Sequence, residues 1–230
     1  MPAEPSPRSA RTQLAALAAE GGSIFAREMP PIVDARAAAV LILFGVLDHL
    51  PSGREAQAAA VSRDLDVLLL SRAATLRSHP GQVAFPGGRV DAGDDGPVAA
   101  ALREAREETG LDPAGVEVLG TLTEVPLDYS RHLVTPVLAW WREPSPVRVV
   151  DVAESAAVFR APVADLLDPA RRGVTVIVRD GQEWRGPAFL VPHDGGEHLV
   201  WGFTGILLDT LFTRLGWTEP WDAGRVIPLG

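Results

Sequence analysis

The chain is expected to fold as an α/β domain in which a mixed β-sheet lies between helices. Three observations predict it. Short runs rich in Val, Leu and Ile recur along the chain and read as buried strands. Segments with apolar residues at helical spacing separate and follow them. No internal repeat is present, so a solenoid is excluded. Mixed strands with helices on both sides give an α/β/α sandwich. At 230 residues the chain is long enough for a full core. We expect an N-terminal extension over 1–35, one domain over 36–218 and a tail over 219–230.

The elements follow in order. The extension contains Pro and Arg, with a short amphipathic helix expected near Arg11–Ala19. Ala37–Val46 and Asp66–Ser71 read as buried strands. Between them, His49–Arg63 is a polar, Ala-rich insertion. Val83–Phe85 is a short strand candidate. Pro97–Thr109 reads as a helix, because Pro suits the first turn and Gly110 can end it. Asp94 and Asp95 precede that helix, where a capping oxygen and negative charge are favourable. Val98, Leu102, Ala105 and Thr109 form its core-facing stripe. Val116–Glu124 and His132–Trp141 are further strands. Val174–Val178 and Ala188–Val191, joined through Arg179-Asp180-Gly181, predict a hairpin. Gly202–Leu215 is a terminal helix, with Phe203, Ile206, Leu207, Thr210 and Leu211 at helical spacing.

Composition narrows the function classes. No apolar run reaches the roughly 18 residues expected of a membrane span, and Met1–Glu20 lacks the pattern of a signal peptide. There are no cysteines, which excludes disulfides, thiolate metal sites and a Cys nucleophile and agrees with a cytoplasmic setting. A net charge of −9 argues against general nucleic-acid binding. Charge distribution says more. No Asp or Glu occurs from Val67 through Val90, whereas Arg72, Arg77, His79 and Arg89 do. An acid-free basic segment in an acidic chain suits an anionic phosphate ligand, for which Arg is well shaped. Each tryptophan is expected in the core or at its edge rather than on a ligand.

The helix after that segment carries Glu104, Glu107 and Glu108, spaced to share one face. Like charges at this spacing each cost roughly 0.2–0.5 kcal/mol. A lone pattern of this kind is ordinarily a solvated face. The alternative is a hard-cation site, since an all-oxygen donor set suits Mg²⁺ or Mn²⁺ and substrate phosphates. Arg103, four residues before Glu107, can brace it.

The surrounding residues decide between these readings. Arg103-Glu104-Ala105-Arg106-Glu107-Glu108-Thr109-Gly110-Leu111 resembles the second half of the Nudix box, G-x5-E-x7-R-E-U-x-E-E-x-G-U, where U is a bulky aliphatic residue. The first half departs slightly. Counting from Gly88, the loop acid is Asp94; counting back from Arg103, it is Asp95. Upstream, Leu68-Leu69-Leu70-Ser71-Arg72 through Leu76-Arg77-Ser78-His79-Pro80-Gly81-Gln82-Val83-Ala84-Phe85-Pro86-Gly87-Gly88 resembles the signature of coenzyme A pyrophosphatases, approximately LLTxRSxxLRxHxGQVAFPGG, with Leu70 and Ala73 in place of Thr and Ser.

That resemblance implies a Nudix-type α/β/α sandwich, with a short helix at Ala161–Leu167. It implies metal-dependent hydrolysis of the pyrophosphate bond of coenzyme A or acyl-coenzyme A. Glu104, Glu107 and Glu108 would hold Mg²⁺ or Mn²⁺, Arg103 would orient a glutamate, and a later acid such as Glu154 is a candidate general base. Arg72 and Arg77 would meet the ligand's phosphates, and Gly87 and Gly88 would allow close backbone approach. His79 is assigned to holding the loop. Expected partners are a small-molecule substrate and neither nucleic acid nor membrane; a homodimer is left open. The alternatives are a Nudix pyrophosphatase for NADH or ADP-ribose, and a non-catalytic nucleotide sensor. The retained glutamates argue against the sensor.

Overall fold

A computed structural model describes residues 9–21, 32–46, 51–73, 81–179, 181–193 and 195–229. Its centre is β1 (Arg36–Val46), whose side chains are apolar on both faces. Both of its long neighbours are also buried. The strand β2 (Leu65–Arg72) runs antiparallel to it, and β7 (His132–Trp141) runs parallel, in register from Arg36 with His132 to Gly45 with Trp141. The short strands β3 (Val83–Ala84) and β4 (Gly87–Arg89) pair with β2 and β1. Then β5 (Val116–Thr121) and β6 (Val125–Leu127) pair with β7, and β8 (Ser155–Pro162) closes the far edge on β2. One parallel pair among antiparallel ones makes the sheet mixed, as expected.

The period-2 alternation of a strand divides β1 between two cores. Ala39, Leu41 and Leu43 face the box helix, α2 (Gly96–Thr109), where they meet Ala101 and Ala105. Ile42 and Phe44 face the other layer. That layer holds α1 (Ala10–Ala19), α4 (Gly202–Arg214) and a separate sheet of β9 (Arg172–Arg179), β10 (Gln182–His193) and β11 (Gly196–Val200). Helices therefore flank the mixed sheet on both sides. The N-terminal helix is integral to this layer: Leu14 and Leu17 are buried, and the Trp217 indole N–H donates to Gln13 Oε1 at 2.8 Å.

Several sequence expectations change. Val116–Glu124 is not one strand, because β5 ends at Thr121 and β6 begins at Val125. Val83–Phe85 becomes two short strands around Phe85-Pro86, since Pro cannot donate to a ladder. The expected helix Ala161–Leu167 shrinks to α3 (Val163–Leu166), because β8 runs on through Pro162. The second hairpin strand starts at Gln182 rather than Ala188. The insertion folds back on the domain: Arg54 donates to buried Glu219 at 2.6 Å, and Gln57 N donates to the same carboxylate at 3.0 Å.

The C-terminal segment packs through a buried cation. Arg172 is fully buried between the rings of Phe189 and Trp221, 4.7 and 4.3 Å from their centroids, and pairs with Asp209. Val174 and Val226 then form a parallel bridge. Removing one partner of such a pair leaves an uncompensated charge. Asp209 is partly exposed, so Asp209→Ala should cost about 2–3 kcal/mol rather than the full penalty. Urea unfolding reads it directly; an unmoved midpoint would show that water reaches the guanidinium.

Candidate active site

The site forms where α2 passes the β3–β4 loop. Gly110 closes the helix in a left-handed conformation, with its N–H on Arg106 O at 2.9 Å. The other end differs from expectation. Asp95 takes the N-cap position but makes no side-chain cap bond. Asp94 instead turns inward, accepting from Asp91 N at 2.8 Å and pairing with both arms of Arg103, Nε at 2.9 Å and Nη2 at 3.0 Å. This double hydrogen bond holds its carboxyl below the usual range. Thus Asp94, and not Asp95, is the loop acid that engages the helix.

Arg103 is the hub. Besides Asp94, it donates through Nη1 to Glu104 Oε1 at 2.9 Å and Glu107 Oε2 at 3.0 Å, and through Nη2 to Arg89 O at 3.0 Å. One guanidinium thereby joins the loop to two of the three glutamates. The third, Glu108, turns the other way and accepts from Gly87 N at 2.9 Å. The triad does not act as one face: Glu107 stays mainly in solvent, whereas Glu104 and Glu108 are partly buried against the loop.

The two loop glycines are required by space. A Cβ on Gly87 would collide with the β1 backbone at Ala39 and Val40. A Cβ on Gly88 would lie 2.5 Å from the Glu104 carboxylate. The loop is pressed between the central strand and the glutamates.

Electrostatics bring two further residues to the site. Burial pushes the Glu108 carboxyl up to about 7; the Gly87 N–H and Arg72 oppose this, while Glu104 and Glu154 reinforce it. Burial likewise raises Glu104, against the pull of Arg103. Arg72 and Glu154 thus both act on the charge of Glu108. The backbone explains why: Ala73 N donates to Glu154 O at 2.8 Å, beside a register shift at Ser71 and Arg72. Arg77 and His79 lie outside the described residues.

On the other side of Gly87-Gly88 lies a cavity of about 280 Å³. Arg72, Arg89 and His132 line it, with Tyr129, Trp201 and Phe203. Among the described residues no carboxylate pairs with Arg72 or Arg89, and the buried Arg72 Nε has no hydrogen-bond partner. The amino end of α4 borders the same space, with Thr204 Oγ1 bonded to Val83 O at 3.0 Å. A helix start adds a field that favours anions. Arg89, His132 and Trp201 line the cavity without having been singled out as site residues. The acid-free basic run includes Arg89, and Trp201 could have stacked on a base but was assigned to packing.

The donor chemistry fits a hard divalent cation, because the half-buried Glu108 faces the negative charge of Glu104 and Glu154. Among the described residues no three His, Asp or Glu side chains are gathered into a metal cluster. The hydrogen bonds show why: Arg103 draws Glu104 and Glu107 to itself while Glu108 turns to Gly87.

With this geometry in place, kinship follows. The NUDIX domain pattern matches residues 53–180, and the chain belongs to the Nudix family. Within it, the chain is 40% identical over 150 residues to the uncharacterized Nudix hydrolase NudL of Cronobacter sakazakii, spanning 65% of this chain and 75% of that one. The NudL of Escherichia coli K12 is 39% identical with the same coverage. Among solved structures, the M. smegmatis Nudix hydrolase RenU is 28% identical, over 55% of this chain and 70% of that one, with a TM-score of 0.40.

Two tests address the site itself. Gly88→Ala should displace Glu104 and lower turnover by roughly tenfold or more, with little loss of stability if the carboxylate end yields; unchanged turnover would show that the loop relaxes freely. In metal-free protein, Glu108 binds a proton between its ordinary value of 4.5 and about 7 that the unfolded chain has released. Its contribution to stability therefore falls as pH rises through that window. Asp66 has the same sign over a similar range, so the comparison with Glu108→Gln isolates the effect. Parallel stability–pH profiles for the two proteins would refute it.

Proposed function

We propose that the chain is a divalent-metal-dependent diphosphatase that hydrolyses the pyrophosphate bond of coenzyme A and its acyl derivatives. The products would be adenosine 3′,5′-bisphosphate and 4′-phosphopantetheine or its acyl form. The observation that carries the reading is a juxtaposition. The carboxylates of Glu104 and Glu154 act on Glu108, which the Gly87 N–H holds, and the cations Arg72 and Arg89, with the His132 imidazole, line the adjoining cavity that Gly87 and Gly88 border. A diphosphate needs both: cations for its own charge, and carboxylates for the metal and for the attacking water.

Glu104 and Glu108 would hold Mg²⁺ or Mn²⁺, with Glu107 as a further oxygen ligand. Such an ion, when bound, neutralises phosphoryl charge and favours attack by water. Arg103 is a positioning residue, since it fixes Glu104 and Glu107 and ties them to Asp94. Arg72 is proposed to meet the diphosphate, with its unpartnered Nε available as a donor. Glu154 is the candidate general base, a carboxylate that would take the proton released by water. Arg77 keeps its proposed place at the substrate's phosphates. The choice of coenzyme A rests on the resemblance of Leu68–Gly88 to the coenzyme A signature.

The test is kcat/KM for coenzyme A, dephospho-coenzyme A, NADH and ADP-ribose. Coenzyme A should exceed its dephospho form by roughly tenfold to hundredfold, the range of a charge-assisted contact to the additional phosphate. If NADH or ADP-ribose is preferred, the coenzyme A assignment fails and the broader diphosphatase reading remains.

Metal dependence has its own outcome. EDTA should stop turnover, Mg²⁺ or Mn²⁺ should restore it, and Zn²⁺ should serve poorly for an all-oxygen donor set. Glu104→Gln and Glu108→Gln should each lower kcat by roughly a hundredfold or more, with unchanged circular dichroism. They should also weaken Mn²⁺ binding by calorimetry. Full activity in the metal-free enzyme would remove the cation from the mechanism.

A further inference from the structure

The catalytic cavity does not end at its cations. A second cavity of about 390 Å³ adjoins it and shares Gln82, Tyr129, Trp201 and Phe203 with it. The two are successive compartments of one groove, and their chemistry differs. The first carries Arg72, Arg89 and His132. The second adds Ile177, Trp184 and Gly202, and among the described residues no charged side chain lines it.

Ile177 and Trp184 sit directly opposite each other on β9 and β10. They are 40% and 62% exposed, so this cross-strand pair leaves much of its apolar surface in water. The base of the same hairpin is different, since Ala188 and Phe189 are fully buried in the core. An exposed tryptophan beside an apolar cavity marks a contact surface rather than a packing need. Trp184, Trp201 and Phe203 also lie beyond residue 180, where the family match ends. The compartment therefore combines Gln82, Tyr129 and Ile177 from within the family match with residues beyond it, at a place continuous with the first cavity.

A groove that is cationic at one end and apolar at the other is complementary to an amphiphile. We propose that the second compartment receives the apolar acyl chain of the diphosphate substrate, so that Trp184 and Ile177 set a preference for long acyl chains. This rests on the diphosphatase reading for the identity of the anionic end, while the apolar end is carried by the hairpin. Each buried methylene is worth roughly a three- to fourfold gain. An open shelf retains only part of that, so a tenfold or larger gain is expected between acetyl and octanoyl chains.

The experiment has a catalytic arm and a binding arm. In the first, kcat/KM is measured for acetyl- and octanoyl-coenzyme A with wild type, Trp184→Ser and the Trp184→Ser/Ile177→Ser double variant. The octanoyl preference should be at least tenfold in wild type and less than threefold in the double variant. In the second, calorimetry compares ethyl phosphate with decyl phosphate below its micellar concentration, with circular dichroism confirming the fold of each variant. Decyl phosphate should bind at least tenfold more tightly to wild type, and the gap should collapse in the double variant. Equal binding of the two probes to wild type, or a gap that survives both substitutions, overturns the proposal. So does a loss of AMP binding in Trp184→Ser, which would assign the shelf to a stacked base. A wild-type dimer that Trp184→Ser dissociates in ultracentrifugation would assign it to a second copy of the chain. If no coenzyme A ester is hydrolysed but the binding arm behaves as stated, the substrate reading falls and the apolar compartment stands.

Discussion

The site depends on the five hydrogen bonds of Arg103. Three glutamates within five helical positions repel one another, and an α-helix alone offers nothing to offset this. Arg103 offsets it locally by taking Glu104 and Glu107, and at longer range by taking Asp94. A surface ion pair alone contributes little, typically below ~1 kcal/mol. A network that joins helix, loop acid and the Arg89 carbonyl does more, because it fixes where the loop lies. The same contacts leave Glu108 outside the Arg103 network, with its carboxylate accepting from the Gly87 N–H. Burial raises its carboxyl pKa, against the pull of the Gly87 N–H.

A second constraint couples this network to the sheet. The loop approaches β1 so closely that a side chain at Gly87 would enter its backbone, and one at Gly88 would enter Glu104. On the helix side, Ala101 and Ala105 are small enough for α2 to lie near Ala39 and Leu41. Helix, loop and central strand are thus fixed by absent atoms as much as by present ones. Precision at the glutamates is inherited from the central strand of the sheet, which is a better support than a free loop.

Legibility in the sequence followed the range of the interactions. The α2 helix, its glycine stop and its core-facing stripe were readable because Pro97, Gly110 and the 3.6-residue spacing act locally. Arg103 near Glu107 was readable for the same reason. The strands β1, β2 and β7 were readable because each carries a run rich in Val, Leu, Ile or Ala. What was missed depends on distant partners. Ser155–Pro162 carries three alanines and an arginine, poor strand signals, and becomes β8 only because β2 offers an open edge. Asp94 was indistinguishable from Asp95 until Arg103 selected it. His132 and Trp201 read as an ordinary strand residue and an ordinary aromatic. They become cavity residues only when β7 and α4 meet beside β4.

The groove gains its two chemistries from two parts of the chain. The box helix and its loop, within the family match, supply carboxylates and closely packed glycines. In the proposed mechanism these address the anhydride bond rather than the groups on either side. Discrimination has to come from elsewhere, and here the structure adds a hairpin and the start of α4. Those elements sit on the opposite face of the sheet from α2, so they can change without disturbing Arg103 and its partners. Trp201 and Phe203 belong to both compartments and border the cations on one side and Trp184 on the other. A change there would alter orientation at the phosphates as well as contact with the chain, whereas a change at Trp184 touches only the far compartment. On the proposed reading, bond chemistry and substrate choice fall to different layers of the fold, and these two aromatic residues are where the layers meet.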